Sequence, residues 1–137
     1  MVTAIEAEPQ QLLEALKEEL KKVKEIEPPV WSSYVKTGMS RDRPPEQDDW
    51  WYMRSAAILR KVYLKGPVGI ERLTKMYGGK KNRGHKPEHF YPSGGSIIRK
   101  ILQQLEKAEL VKKKKSGRLI SPKGQKMLDN LAYKLVK

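Results

Sequence analysis

The feature of this chain that most constrains its fold is a wide apolar arc in residues 50–64. Helical spacing brings Trp51, Ile58 and Val62 onto one side, and Tyr52 and Ala56 widen that side. A helix with so broad an apolar surface has to be covered from two directions. We therefore expect residues 50–64 to form the central helix of the domain.

Four more helices and a hairpin are predicted around it, because apolar residues recur at helical spacing elsewhere. The helices cover residues 10–25, 69–77, a stretch from Ser93 or Ser96 to Lys107, and a stretch from Ser121 to Leu135. Two short strands at 110–120 flank the turn Ser116–Gly117. A helix, short helix, helix, hairpin, helix order is typical of a winged-helix domain. The predicted fold is mainly α: one winged-helix-like domain over 1–137, with an extra N-terminal helix (1–27), a packed connector (28–47), a core (48–137) and a short β-hairpin wing.

Four large side chains are predicted to be structural. Trp50 and Trp51 begin the central helix, and Trp31 lies in the proline-rich connector. We expect Trp31 to pack this connector against the domain. Arg54 stands on the central helix, where it could stack on a tryptophan, pair with a carboxylate or face outward. We favour the structural role for Arg54.

Charge gives the second constraint. The chain contains 29 Lys and Arg but only 16 Asp and Glu, so its formal net charge is +13. Such an excess attracts a polyanion. No stretch is apolar enough to cross a bilayer and the N-terminus lacks a signal-peptide pattern, so nucleic acid fits better than a membrane. The chain has no cysteine, which fits a reducing cytoplasm. We expect a cytoplasmic nucleic-acid-binding protein.

Three segments concentrate the residues predicted to touch nucleic acid: the basic loop 78–92, the outer face of the fourth helix and the wing. The candidates are Lys80, Lys81, Arg83, His85 and Lys86 in the loop, Arg99, Lys100 and Gln103 on the helix, Lys112, Lys113, Lys114, Lys115 and Arg118 on the wing, and Arg60 on the central helix. Each segment also has a plainer interpretation: a solvated loop, the solvent side of an amphipathic helix, or lysines that protect a strand edge. We expect the three to converge on one positive surface.

Catalytic and metal-binding interpretations fail. The stretch Gly79–Lys86 imitates a phosphate-binding loop but lacks the G-K-[ST] ending and any preceding strand. His85 and His89 are four apart, yet Pro87 interrupts the helix that would align them, and no cysteine completes a ligand set. We expect no enzyme activity, metal or cofactor.

Two kinds of nucleic-acid-binding protein remain. One is a structural RNA-binding protein; the alternative is a winged-helix transcription regulator that reads DNA as a dimer. The connection between the short helix and the fourth helix is far longer than the tight turn of a DNA-binding helix-turn-helix, and no dimerisation helix is evident beyond the first. These features favour RNA and a chain that is monomeric when free.

The chain resembles the small-subunit ribosomal protein nineteen-e family of archaea and eukaryotes. The match is carried by DDWWYMRSAAILRKVYLKGPVGIERLTKMYGG at 48–79, KKNRGHKPEHFYPSGGSIIRKILQQLEKAELV at 80–111, PPVWSSYVKTG at 28–38 and GRLISPKGQKMLDNLA at 117–132. The resemblance implies a winged-helix-like structural protein of the small-subunit head, bound to small-subunit ribosomal RNA beside other ribosomal proteins and needed in late subunit maturation. It also implies RNA-facing roles for Arg60, Arg99, Lys100 and the loop 78–86, and core roles for Trp50 and Trp51.

Overall fold

The computed structural model describes residue 5 and residues 7–29, 50–84, 86–91, 95–115 and 117–136, and all statements below concern these residues. Their elements are α1 (Pro9–Lys21), α2 (Trp50–Lys65), α3 (Ile70–Met76), β1 (Gly79–Arg83), β2 (Lys86–Tyr91), α4 (Gly95–Lys107), β3 (Val111–Lys114), β4 (Gly117–Ile120) and α5 (Pro122–Val136). The predicted mainly α, winged-helix-like fold is confirmed. Trp31, the rest of the connector from residue 30 to residue 47, and His85 lie outside the described residues.

Helix α2 is the central helix, as predicted. It packs against α1, α4, α5 and strand β4. Trp51, Ile58 and Leu59 on α2 are at most 1 % exposed, which is what a helix covered from several directions requires. Trp50 is also buried and meets the edge of the Trp51 ring, with the ring centroids 5.5 Å apart and the planes at 73°. Both tryptophans lie in the hydrophobic core.

Helix α1 is shorter than predicted. The side chain of Glu8 accepts a hydrogen bond from the backbone N–H of Gln11 at 2.8 Å and so caps the first turn. The helix ends at Lys21, four residues before the predicted end. Continued at 100° per residue, it would carry Ile26 about 120° away from Leu20, which faces the core. Because the chain leaves the helix, Ile26 reaches the core and is 2 % exposed.

The wing is the antiparallel pair β3–β4, in which Val111 pairs with Ile120 and Lys114 with Gly117. Val68, between α2 and α3, adds a single bridge on the other side of β4 through two backbone hydrogen bonds with Arg118, of 3.1 and 2.9 Å. Gly117 has a φ of +139°, and a Cβ there would stand 2.6 Å from the Val68 carbonyl carbon. Only glycine fits this junction.

The segment 78–92, predicted as a basic loop, instead contains the two-stranded antiparallel hairpin β1–β2. Gly79 pairs with Tyr91 and Lys80 with Phe90, and the register shifts between Lys81 and Arg83. Gly84 turns the chain with a φ of +74°. The prediction failed because G-K-K-N-R has no β-branched or alternating apolar residue; the backbone pairing and the glycine turn form this hairpin without that signal.

Helix α5 begins as predicted, with Pro122 at its first position and Ser121 as its cap. The Ser121 hydroxyl accepts from the backbone N–H of Gly124 at 3.1 Å and donates to the carbonyl of Glu109 at 2.6 Å. One serine thus satisfies the helix end and ties it to the turn between α4 and β3. This contact fixes α5 against the base of the wing.

Candidate nucleic-acid interface

Helix α4 divides into a buried side and a charged side, because its apolar residues repeat at helical spacing. The buried side consists of Ile97, Ile98, Ile101, Leu102 and Leu105. On the other side Arg99, Lys100, Gln103 and Lys107 are exposed. In the described part of the chain, no carboxylate forms an ion pair with Arg99, Lys100 or Lys107. The predicted outer-face residues therefore offer unneutralised charge to solvent.

This charged face is bounded on one side by acidic residues. Lys100, Gln103 and Lys107 share a shallow open groove with Glu25 and Glu27, together with two prolines of the same stretch, Pro28 and Pro29. The carboxylates lower the positive potential at this margin of α4. An anionic ligand on α4 is consequently expected to lie towards Arg99 and the wing.

The wing presents an unbroken run of cations. Lys112, Lys113, Lys114 and Lys115 are all exposed, while Val111 before them is buried. Strand β3 packs next to α4, and in the described residues its outer edge pairs with no other strand. The run fits a sugar-phosphate backbone and it also protects the strand edge, so both interpretations of the sequence remain compatible with the geometry.

Arg118 is placed differently from the other predicted RNA-binding residues. Its side chain is only 14 % exposed, and its Nη2 lies 3.6 Å from Glu106 Oε2 on α4. It therefore joins β4 to α4 instead of extending from the wing. We leave Arg118 out of the candidate interface.

The β1–β2 hairpin carries the remaining predicted positions. Lys80, Lys81 and Arg83 belong to β1, and Lys86 begins β2. Phe90, the cross-strand partner of Lys80, is 46 % exposed, so it does not anchor the hairpin in the core.

On α2, Arg54 contacts Tyr77 at the end of α3. Its guanidinium carbon lies 4.2 Å from the Tyr77 ring centroid, and the Lys61 ammonium lies 5.3 Å from the same centroid. Both distances are within the range of cation–π contacts. Burial raises the pKa of Tyr77 to about 12, against the opposing effect of the Arg54 and Arg60 charges. Arg60 itself is part-exposed beside this cluster.

The sequence analysis missed the role of Gln104 on α4. The Trp51 indole Nε1–H donates to Gln104 Oε1 at 2.9 Å, and Gln104 Nε2 donates to the Glu27 carbonyl at 2.7 Å. The signal available in the sequence was the buried tryptophan, whose N–H needs an acceptor. Gln104 thus fixes α4 to α2 and to the chain that follows α1.

Among the described residues, no group of three or more His, Asp or Glu side chains could hold a metal ion. No helix in the same part of the chain is both long and apolar enough to cross a membrane.

Comparison with known proteins gives one consistent family. The model of the family described as Ribosomal protein S19e matches residues 3–137. The chain is 48 % identical to "Small ribosomal subunit protein eS19" of Aeropyrum pernix, over 99 % of this chain and 91 % of that protein. It is 46 % identical to the protein of the same name from Thermoplasma acidophilum, over 92 % and 84 %. It is 41 % identical to "Small ribosomal subunit protein eS19B" of Schizosaccharomyces pombe, over 98 % and 95 %.

Proposed function

Since the chain belongs to the ribosomal protein S19e family, we propose that it binds small-subunit ribosomal RNA in the head of the subunit and supports late subunit maturation. The family assignment makes it a structural component of the cytoplasmic ribosome and not an enzyme. RNA binding, the position in the head and the maturation role are the parts we add.

One observation carries the RNA-binding proposal. The exposed cations Arg99, Lys100 and Lys107 lie on the side of α4 opposite the core, and α4 packs next to β3 with its exposed run Lys112–Lys115. Two adjoining elements thus present seven cations to solvent. Phosphate neutralisation by such residues releases counterions, which is the main source of affinity for nucleic acid.

The arrangement favours recognition of shape over recognition of sequence. The major groove of A-form RNA is too deep and narrow for side chains to read, so proteins bind duplex RNA mostly through phosphates and the minor groove. Lysines dominate the wing, and they act as flexible point charges without base-specific geometry. On α4, the exposed Arg99 and Gln103 have side chains that can reach a base edge.

Co-sedimentation tests the proposal. In a cell lysate resolved on a sucrose gradient, the protein should travel with small ribosomal subunits and leave them only at high salt. We expect the purified protein to be a monomer and to contact neighbouring small-subunit proteins when assembled. A free dimer that binds a palindromic DNA duplex and is absent from the subunit fractions would contradict the proposal.

Depletion of the protein tests the maturation role separately. Cells that lack it should accumulate precursor small-subunit RNA with unprocessed ends, because a missing structural protein stalls assembly. Normal processing in depleted cells, together with co-sedimentation, would remove the maturation role and leave the structural one.

A further inference from the structure

Phe90 is the only phenylalanine of the chain, and it lies on strand β2 with 46 % of its surface exposed. A single apolar side chain at a protein surface is common, so its surroundings decide whether it has a role. Burial of apolar surface stabilises a folded protein. The ring of Phe90 uses only part of that stabilisation within the chain, and the exposed part is available to a ligand.

The hairpin that carries Phe90 packs mainly on itself. In the described part of the chain, β1 and β2 form a sheet of two strands, and their main contacts are with each other. Neither strand therefore covers Phe90 with a further layer of the core. A molecule that approaches the hairpin from solvent can reach the exposed part of the ring.

The chemical setting of Phe90 is basic. Residues 79–91 contain three lysines, one arginine and one glutamate, and Lys80 occupies the register position opposite Phe90. A ligand for this segment therefore carries negative charge, and a ligand for the ring of Phe90 offers a planar or apolar face. A nucleotide meets both conditions, because its phosphate and its base belong to one unit.

A base that contacts Phe90 has to be unpaired. In a duplex both faces of a base are covered by the stacked neighbours, and only its edges reach the grooves. A base in a loop, a bulge or a chain end has a free face on which an aromatic side chain can stack. The ring of phenylalanine has no hydrogen-bonding group, so it can stack on any base without reading its edge.

We propose that Phe90 is a stacking platform for one unpaired base of the small-subunit ribosomal RNA. The inference rests on the proposed function, since it adds a contact to the same RNA, but the contact has a different chemistry. A cation that neutralises a phosphate makes the affinity depend on salt, whereas a ring stacked on a base adds affinity without releasing counterions. Phe90 thus favours an RNA that presents an unpaired nucleotide to the hairpin.

The test separates affinity from its salt dependence. Phe90→Ala should lower the affinity for a transcript of archaeal small-subunit ribosomal RNA about 5- to 150-fold, the usual range for the loss of one stacked base. The slope of log K against log salt should stay unchanged, because no phosphate contact is lost. Arg99→Ala, by contrast, should lower that slope. A reduced slope for Phe90→Ala would refute stacking as the source of the lost affinity.

Matched variants separate stacking from apolar contact and from folding. Phe90→Trp keeps an aromatic face and should bind at least as well as the wild type, whereas Phe90→Leu keeps apolar volume only and should lose affinity almost as Phe90→Ala does. Tyr133→Ala removes an aromatic side chain that is 53 % exposed on α5, and it should change affinity by no more than about twofold. The Tm of every Phe90 variant should match the wild type. Full binding by Phe90→Leu, or a loss of Tm that parallels the loss of affinity, would refute the platform.

Chemical probing of the RNA identifies the base. One unpaired nucleotide should be protected in the wild-type complex and reactive in the complex with Phe90→Ala. An abasic nucleotide at that position should weaken binding of the wild type as much as Phe90→Ala does, and it should cause little further loss in Phe90→Ala, since the two changes remove the same contact. Equal protection of every unpaired base in both complexes, or additive losses, would refute the assignment.

The outcomes also distinguish this inference from the proposed function. If Arg99→Ala weakens RNA binding while Phe90→Ala binds with unchanged affinity, the platform is refuted and the proposed function stands. The platform is also refuted if Phe90→Ala binds RNA normally but fails to enter subunits, which would indicate a protein contact. If the wild type binds no ribosomal RNA, the proposed function fails. Single-stranded oligouridine then tests Phe90 by itself: stronger binding by the wild type than by Phe90→Ala supports the platform, and equal binding refutes it.

Discussion

Replacement of Trp51 with alanine tests the central packing of this domain. The side chain is 1 % exposed, and its indole N–H donates to Gln104 at 2.9 Å. Truncation of a buried tryptophan costs roughly 3–5 kcal/mol. The substitution also removes the 2.9 Å hydrogen bond that Gln104 Oε1 accepts, so this oxygen keeps only the 3.4 Å contact with the Glu27 N–H. The lost hydrogen bond adds about 1 kcal/mol to the destabilisation.

Together these terms predict a loss of roughly 4–6 kcal/mol, a large part of the ~5–15 kcal/mol that stabilises an ordinary domain. Urea denaturation followed by far-UV circular dichroism measures it. With a slope of about 1–3 kcal/mol per molar, the urea midpoint should fall by at least about 1.3 M, or the variant should be unfolded without urea. Phe90→Ala is the control, because this aromatic side chain is 46 % exposed and its loss should cost less than about 1 kcal/mol. An unchanged midpoint for Trp51→Ala would refute the central-helix assignment.

A double-mutant cycle isolates the hydrogen bond from the packing. Trp51→Phe keeps an aromatic ring and removes the donor, while Gln104→Leu removes the acceptor. If the 2.9 Å bond contributes as described, the two single losses should exceed the double loss by about 1 kcal/mol. Strict additivity would show that Gln104 does not fix α4 through Trp51.

Three more predictions concern other parts of the molecule. Arg60→Ala or Arg99→Ala should lower the salt slope of ribosomal RNA binding by about one phosphate's worth each and leave the melting curve unchanged; an unchanged slope in titrations at several salt concentrations removes that residue from the interface. Gly117→Ala should lower the free energy of unfolding, measured by urea denaturation, by roughly 1–3 kcal/mol, because Gly117 has a φ of +139° and a Cβ would clash with Val68. Gly69→Ala is the control, since Gly69 has open space around it and its substitution should change stability little. Equal losses of stability for the two variants would contradict the described junction. The pKa of Tyr77 is near 10 in the unfolded chain and about 12 in the folded protein. The folded state therefore binds more protons between these values, and the free energy of unfolding should fall by about 2–3 kcal/mol as pH rises from 10 to 12. Tyr77→Phe should lack this part of the fall, and identical alkaline unfolding profiles of the two proteins would refute the shift.

Much of the fold was predictable because each helix buries one apolar side. The stripes of α2, α4 and α5 repeat at helical spacing, and their burial follows those stripes. Ser121 as a helix cap and the glycine turn of the wing are local signals, because a few neighbouring residues are enough to determine each of them. These elements needed no knowledge of the tertiary structure.

The features that escaped prediction depend on distant partners. The single bridge of Val68 with Arg118 and the links made by Gln104 join residues about 50 or more positions apart. Helix α1 ends early because Ile26 packs into the core only when the chain leaves the helix. In each of these cases a tertiary contact decides between local structures that the sequence alone leaves open. The β1–β2 hairpin is different: its strands pair locally across the Gly84 turn, and β1 (G-K-K-N-R) has low strand propensity.

The candidate interface was predictable by composition but not by position. The lysines of the wing are exposed as expected, yet Arg118, the residue directly after Gly117, faces Glu106 on α4. The alternation of a strand cannot reveal this, because all four residues of β4 are part-buried. The convergence of the hairpin 79–91 with α4 and the wing stays a prediction, and crosslinking of Lys80, Lys81 and Lys112–Lys115 to ribosomal RNA in assembled subunits would test it.

The same internal contacts that escaped prediction explain why the outer charges can act together. Gln104 holds α4 to α2 and to Glu27, and Arg118 links the wing to α4 through Glu106 and to Val68 through its backbone. These contacts lie beneath the exposed cations and do not use them. The cations therefore sit on elements whose relative positions are set by internal contacts, so the proposed RNA binding would not have to order those elements. On that proposal, the surface would select an RNA by the spacing of its phosphates, because flexible lysine tips can adjust while the helix and the wing cannot.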